Sequence, residues 1–205
     1  VDIGPVNTIF TRNFIDGFRT RISAQTTANL SKHWFLAGYM ARGWGSKKNY
    51  YSGELTYSFN KKEYLPREFP KRTVSFKSTY DIMSPSDKFL RTDKDNVFTS
   101  LKWTKVDKMM FYNRQQLTFE REEEWGMKTT LSLRTEENEA VGALFFEKLS
   151  NPFPSIIYPD TDVSKLLHNG KLRTTELRFE LEIAPGRTFI NTKQRRIAIN
   201  LEAPV

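Results

Sequence analysis

The chain has 205 residues, a formal net charge of +8, 38% hydrophobic and 14% aromatic residues, and no cysteine. The aromatic content excludes a disordered chain, because aromatic side chains supply burial that disordered segments lack. Without cysteine, a disulfide framework and thiolate metal sites are also excluded. Lysine and arginine are interleaved with acidic residues, and the densest basic runs, such as Lys71-Arg72 and Lys193–Arg196, fall in predicted loops. This distribution favours solvated or headgroup-facing loops, so we expect no nucleic-acid partner.

Apolar and polar residues alternate with a period of two along most of the chain, which predicts β-strands. The cleanest case is the last strand, where Leu177, Phe179 and Leu181 share one face opposite Glu176 and Glu180. Most predicted strands approach the 9 to 11 residues that cross a bilayer at a tilt. In chain order the predicted strands are Gly17–Thr27, Trp34–Trp44, Tyr50–Asn60, Thr73–Ile82, Val97–Thr104, Met109–Glu122, Met127–Glu136, Val141–Leu149 and Thr175–Ile183.

The connections between these strands are polar. Those short enough for hairpins are Ala28–Lys32, Lys105–Lys108, Glu123–Gly126 and Glu136–Glu139. Longer ones are Asn60–Arg72, Ser84–Asp95 and Ser150–Lys171; the best helical candidate, Val163–His168, is one or two turns in the last of them. The sequence therefore predicts an all-β fold, an antiparallel meander of about nine or ten long strands in one domain over residues 1–205.

Alternation alone does not distinguish a soluble β-sandwich from a transmembrane β-barrel, because both have one apolar and one polar face. Three features favour the barrel. The strands exceed the roughly 5 to 6 residues typical of soluble sheets. The polar faces carry charges of both signs. Aromatic residues crowd the strand ends, where interfacial girdles lie in barrels: Trp34, Trp44, Tyr50, Tyr51, Phe59, Tyr80, Trp103 and Trp125.

Several segments resemble one family of proteins. They are Tyr80–Leu90 (YDIMSPSDKFL), Thr92–Phe98, Arg134–Glu139, Gly142–Phe145 and Pro185–Arg196 (PGRTFINTKQRR), with Gly17–Arg19 and Tyr57–Asn60 fitting as well. They are similar to a Bacteroidota outer-membrane β-barrel family of unknown function, whose members are named as carboxypeptidase-like regulatory domain-containing proteins.

The resemblance implies a large barrel in the bacterial outer membrane, preceded by a small carboxypeptidase-regulatory-like β-sandwich. That name describes an accessory fold and implies no peptidase activity. Neither the sandwich nor the later barrel strands are expected within this chain. The chain begins with Val rather than Met, so we expect it to be an internal segment of a longer protein. The resemblance transfers no functional residues.

The residues offer no credible catalytic or metal site, and we expect no enzymatic activity and no cofactor. The two histidines, His33 and His168, are far apart in the pattern and are interpreted as surface residues. The carboxylates Glu120, Glu122, Glu123 and Glu124 could in principle form an acid–base pair, but a solvated hairpin tip is favoured.

The charges on the polar strand faces are the more informative candidates. If they point into a lumen, they control which solutes pass or hold a plug. These candidates are Arg19, Arg21, Lys77, Asp81, Lys128, Arg134, Glu176, Arg178, Glu180 and Glu182.

The sequence thus predicts a structural or transport-related barrel segment with a passive or plugged pore, in contact with outer-membrane lipid and with other envelope proteins as further candidate partners. Two alternatives remain open. One is a barrel that assembles or secretes other proteins. The other is a soluble β-domain that binds an acidic polymer through its basic surface.

Overall fold

The computed structural model describes residues 1–4, 9–85, 107–146, 167–168, 170–184, 186, 188–192 and 196–199. The strands are β1 (Asp2–Ile3), β2 (Phe10–Asn13), β3 (Gly17–Gln25), β4 (Trp34–Gly43), β5 (Asn49–Ser58), β6 (Arg72–Met83), β7 (Lys108–Glu122), β8 (Met127–Gly142), β9 (Leu167–His168), β10 (Lys171–Ile183), β11 (Thr188–Asn191) and β12 (Arg196–Ile199). Within these ranges no helix is long and apolar enough to cross a membrane.

The predicted all-β antiparallel meander is confirmed. Strands that follow one another in the chain pair in the order β3-β4-β5-β6-β7-β8-β10, all antiparallel. The short strands β1 and β2 both pair with β3, and β9 pairs with the start of β10, which makes a sheet of ten strands. A separate hairpin is formed by β11 and β12. Among the described residues the two outer edges of the sheet do not pair with each other, so the sheet is not closed.

Two predicted boundaries are wrong, and both concern β8. This strand runs to Gly142, so the charged stretch Glu136–Glu139 lies inside a strand and is not a hairpin connection. Val141 is the penultimate residue of β8 and does not start a new strand; the chain leaves the sheet after Gly142. The cause is pairing on both sides: β7 pairs with β8 as far as Gly142, and Lys171 and Arg173 of β10 pair with Glu139 and Glu137.

The prediction for Val163–His168 is also wrong where it can be compared, because Leu167 and His168 form strand β9 instead of a helical turn. The predicted strand Val97–Thr104 lies outside the described residues, as do most of Ser84–Asp95 and Ser150–Lys171. Lys108, assigned to a connection, begins β7. The turn Glu123–Gly126 is confirmed, with Gly126 in the left-handed region at φ 97°.

The sheet has one apolar and one polar face, and their burial is the reverse of that in a soluble domain. Register aligns a row of apolar side chains across six strands, each between 44% and 73% exposed: Leu36, Leu55, Phe76, Leu117, Leu133 and Leu177. A neighbouring row on this apolar face is Trp34, Tyr57, Val74, Phe119, Leu131 and Phe179. On the polar face, no side chain of the following set exceeds 9% exposure: Ser52, Thr56, Ser58, Thr73, Thr79 and Ser132.

The sheet curls toward its polar face, and it does so most tightly at one end. Ile15, in the turn before β3, packs against the cluster that contains Met109 and Phe111 of β7, and its Cδ1 would lie 3.2 Å from a Cβ built on Gly142 of β8. Strand β8 is five pairing steps from β3, roughly 24 Å in a flat sheet, so only strong curvature permits this contact. Small side chains such as Ala37, Ser52 and Thr56 on the polar face leave room for it. We call this the Ile15 end of the sheet; the opposite end carries the loops 26–33 and 59–71 and the turn 123–126.

Candidate functional site: the polar face of the sheet

The ten charged residues predicted to face a lumen all lie on the polar face. Directly paired residues of an antiparallel sheet share a face, and the register links these positions from strand to strand. One such row runs from Glu54 through Lys77, Gln116 and Arg134 to Glu176. Another runs from Asp81 through Tyr112 to Asn138. The structure therefore gathers the predicted residues on one surface.

Arg19 of β3 and Asp81 of β6 are two buried charges on the polar face. Both nitrogens Nη1 and Nη2 of Arg19 donate to the Asp81 carboxylate, at 2.6 and 2.9 Å. The hydroxyl of Tyr39 on β4 donates to the same carboxylate. The guanidinium of Arg21 lies over the ring of Tyr39, 3.7 Å from its centroid. Side chains of three strands, β3, β4 and β6, thus meet at one carboxylate, and their contacts reach across β5, which lies between β4 and β6.

A second buried carboxylate, Asp16, lies in the turn before β3. It accepts hydrogen bonds from Tyr50 Oη at 2.5 Å, Ser46 Oγ at 2.5 Å and Asn13 Nδ2 at 2.8 Å. Arg19 stacks over the ring of Tyr50, 4.7 Å from its centroid, and so joins the surroundings of Asp16 to those of Asp81. A Cβ on Gly43 would lie 2.2 Å from Asp16 Oδ1, so glycine there leaves space for the carboxylate.

Away from the Ile15 end, the charges of the polar face form simpler ion pairs. Arg114 Nε donates to the fully buried Glu136 at 2.6 Å. Arg134 pairs with Glu176, and Lys77 with Glu54 at 3.2 Å. On β10 the remaining predicted charges are exposed, with Arg178 at 3.4 Å from Glu180. Lys128 and Glu182 occupy opposed positions at the far end of β8 and β10.

The sequence pattern missed Asp16, Tyr39, Tyr50 and Glu136. Asp16 precedes Gly17, and an Asp-Gly pair is a turn signal that could have marked it. Glu136 follows Arg134 at the spacing of one strand face, and as the last residue of the predicted strand Met127–Glu136 it would fall on the polar face. For Tyr39 and Tyr50 the sequence carries no comparable signal, because their role depends on contacts between strands.

Four other candidates from the sequence have structural partners. His33 Nδ1 is 2.8 Å from the carbonyl oxygen of Ser58, at the end of the β4–β5 pair. Glu120 is paired with Lys71 at 2.6 Å, and Glu122 with Arg196 at 3.3 Å. Glu123 is paired with Arg121. In the part of the chain that the structure describes, no group of three or more acidic or histidine side chains could hold a metal ion.

Comparison of the chain with protein-family models, with curated proteins and with solved structures gave no match.

Proposed function

We propose that this chain forms part of the wall of a β-barrel in a bacterial outer membrane, with its apolar face toward lipid and its polar face inward. The observation that carries the proposal is the reversed burial of the sheet. Aliphatic and aromatic side chains are exposed in continuous rows, while hydroxyls and charges are covered. Water makes such a surface costly, at roughly 25 cal/mol per Å² of apolar area, and hydrocarbon removes that cost.

The dimensions of β4 support this orientation in a bilayer. Trp34 begins β4, and Trp44 follows its last residue, where the Trp44 amide donates to the Phe18 carbonyl oxygen and continues the pairing with β3. The two tryptophans are ten residues apart, and both are more than half exposed. At about 3.3 Å per residue they are roughly 33 Å apart along the strand. At a strand tilt of about 40° that separation is roughly 25 Å along the membrane normal, the height of the apolar band of outer-membrane barrels. Arg42, next to Trp44 on this face, has its guanidinium 5.9 Å from the Trp44 ring.

The longer strands β7 and β8 support the same orientation of the sheet in a bilayer. Beyond the apolar rows their outward positions include polar and charged residues, with Asn113 opposite Glu137 and Glu137 opposite Arg173 of β10. Strands that project from a bilayer have water on both faces, and this change in composition is what projection requires. The family resemblance of Tyr80–Phe98 and Pro185–Arg196 supports a bacterial outer membrane. The role of the barrel is structural or transport-related.

Two arginine substitutions on β7 test which face meets lipid. In the full-length protein we expect Leu117→Arg to destabilise the inserted state by about 2–4 kcal/mol, the cost of a cation near the middle of the bilayer. Asn113→Arg, four residues away on the same face and opposite Glu137, should cost less than about 1 kcal/mol. The measurement is urea unfolding from lipid vesicles.

Fractionation of the full-length protein provides the decisive control. Recovery in detergent-extracted outer membranes, with different gel migration before and after boiling, supports a folded barrel. Recovery of a detergent-free monomer without a migration shift would refute the membrane proposal. Salt-sensitive binding of that monomer to an acidic polymer would then favour a soluble β-domain.

A further inference from the structure

The turn that precedes β3 lies over the polar face at the Ile15 end. Ile15 packs on the cluster formed by Met109 and Phe111, and its Cδ1 would be 3.2 Å from a Cβ built on Gly142. Lys48, from the turn between β4 and β5, lies 3.5 Å above the ring of Phe111. The first turn therefore reaches from β3 across to Gly142 of β8, and the second turn contacts Phe111 of β7.

Both turns are fixed by buried hydrogen bonds instead of by apolar packing alone. Asp16, with no exposed surface, joins the first turn to Ser46 of the second turn and to Tyr50 of β5. The amide of Gly45 also donates to the Asp16 carbonyl oxygen at 2.6 Å. Charge-assisted bonds to a buried carboxylate are short and strong, so the Asp16 side chain contributes to the position of both turns.

Arg19 extends the same set of contacts inward. Its guanidinium is held between the Tyr50 ring and the Asp81 carboxylate, and Tyr39 donates to Asp81 from the neighbouring strand. Each member contacts the next, from the turn at the sheet end to Asp81 near the end of β6. We call Asp16, Arg19, Tyr39, Tyr50 and Asp81 the Arg19 latch.

We propose that the Arg19 latch holds the interior of the barrel closed to ions at the Ile15 end. The inference rests on the proposed membrane barrel and extends it, because it assigns Arg19 and Asp81 to closure and not to solute selection in an open pore. Breaking the ion pair leaves a buried charge without its partner, and such a charge gains from contact with water. The turns then separate from the sheet, and water and ions enter.

Conductance of the full-length protein in planar bilayers tests the latch. We expect the wild type to be closed for most of the recording and Arg19→Ala to raise the mean current at least tenfold. Tyr39→Phe removes a single hydrogen bond and should give a smaller rise. The exchanged pair Arg19→Asp with Asp81→Arg restores opposite charges and should return the current toward the wild-type level. The matched control is Arg134→Ala, which breaks an ion pair on the same face but outside the latch.

The possible outcomes distinguish a failure of the latch proposal from a failure of the barrel proposal. Heat-modifiable variants whose currents equal those of the wild type and Arg134→Ala would overturn the latch and leave the barrel intact. A wild type with a large steady current would overturn it as well. If the wild type does not insert and shows no heat-modifiable migration, the barrel proposal itself is wrong. Should Arg19→Ala not fold, Tyr39→Phe and the exchanged pair decide the question by the same current readout.

Discussion

The ammonium group of Lys62 lies buried in the loop between β5 and β6. It donates hydrogen bonds to the carbonyl oxygens of Glu68 and Pro70, both at 2.5 Å. Burial lowers the pKa of Lys62 from 10.5 to about 8, because desolvation penalises the charged form. Between pH 8 and 10.5 the unfolded chain therefore binds more protons than the folded one, and the free energy of unfolding should rise with pH across that window.

Comparison with Lys62→Met isolates this contribution. We expect the unfolding free energy of the wild type, relative to that variant, to increase by up to about 1.4 kcal/mol per pH unit between pH 8 and 10. The measurement is urea unfolding in detergent micelles at a series of pH values. Lys61→Met, at the exposed neighbouring position, should give a profile parallel to the wild type. Parallel profiles for Lys62→Met would contradict the lowered pKa.

For a single charged residue, the face of the sheet on which it lies could be predicted from the sequence, whereas its hydrogen-bond partner could not. Period two places Arg19 and Asp81 on the polar face without any knowledge of neighbouring strands. Their hydrogen bonds span three pairing steps and depend on how tightly the sheet curls. The curvature of the sheet arises from the summed volumes of many side chains on both faces, so it cannot be predicted from the residues around Arg19 or Asp81.

Strand ends depend on pairing partners that are distant in the chain. The stretch around Glu137 and Glu139 has the polar composition of a turn, yet it remains in β8 because Lys171 of β10 lies 3.2 Å from Glu137 and 3.7 Å from Glu139. By contrast, the turn Glu123–Gly126 was predictable, since Gly126 supplies the left-handed backbone that a tight hairpin needs. The residues that form a tight turn can be recognised in the sequence. The extension of a strand by pairing with a distant strand cannot.

The hairpin of β11 and β12 is attached to the sheet through Arg196. Its guanidinium lies between the rings of Phe69 and Phe189, at 4.1 and 3.7 Å, and donates to the carbonyl oxygens of Glu123 and Glu124 at 2.9 and 2.8 Å. Lysine has neither the planar stacking surface nor the fork of donors. We expect Arg196→Lys to accelerate amide exchange in Thr188–Asn191 about tenfold or more, the effect of losing roughly 1.4 kcal/mol.

Hydrogen-exchange mass spectrometry checks this prediction, with β7 and β8 as internal references whose exchange should not change. The control is Arg121→Lys, because Arg121 is half exposed and forms an ion pair with Glu123 that lysine can retain. Equal exchange of the hairpin in the wild type and Arg196→Lys would show that Arg196 does not hold it.

The whole sheet combines a covered polar surface with an exposed apolar one. The small apolar cluster at the Ile15 end, built around Tyr50, Met109 and Phe111, is the core of the described residues. It is too small to account for a sheet of this size in water, where larger domains bury most of their apolar surface. The apolar rows therefore have to be covered by something outside the described chain, and the bilayer is the cover that we propose.

Spin labels on the apolar face of β4 can measure how deep each labelled residue lies in that bilayer. In a cysteine-free background of the full-length protein, spin labels at Trp34→Cys, Met40→Cys and Trp44→Cys probe three outward positions of one strand. We expect the label at residue 40 to be the most accessible to oxygen and the least accessible to a polar relaxation agent. Residues 34 and 44 should lie at opposite interfaces, roughly 25 Å apart along the normal. Ala37→Cys, on the polar face, serves as the control and should show low accessibility to oxygen. Equal accessibility to the polar agent at all three outward positions would place this face in water and contradict insertion.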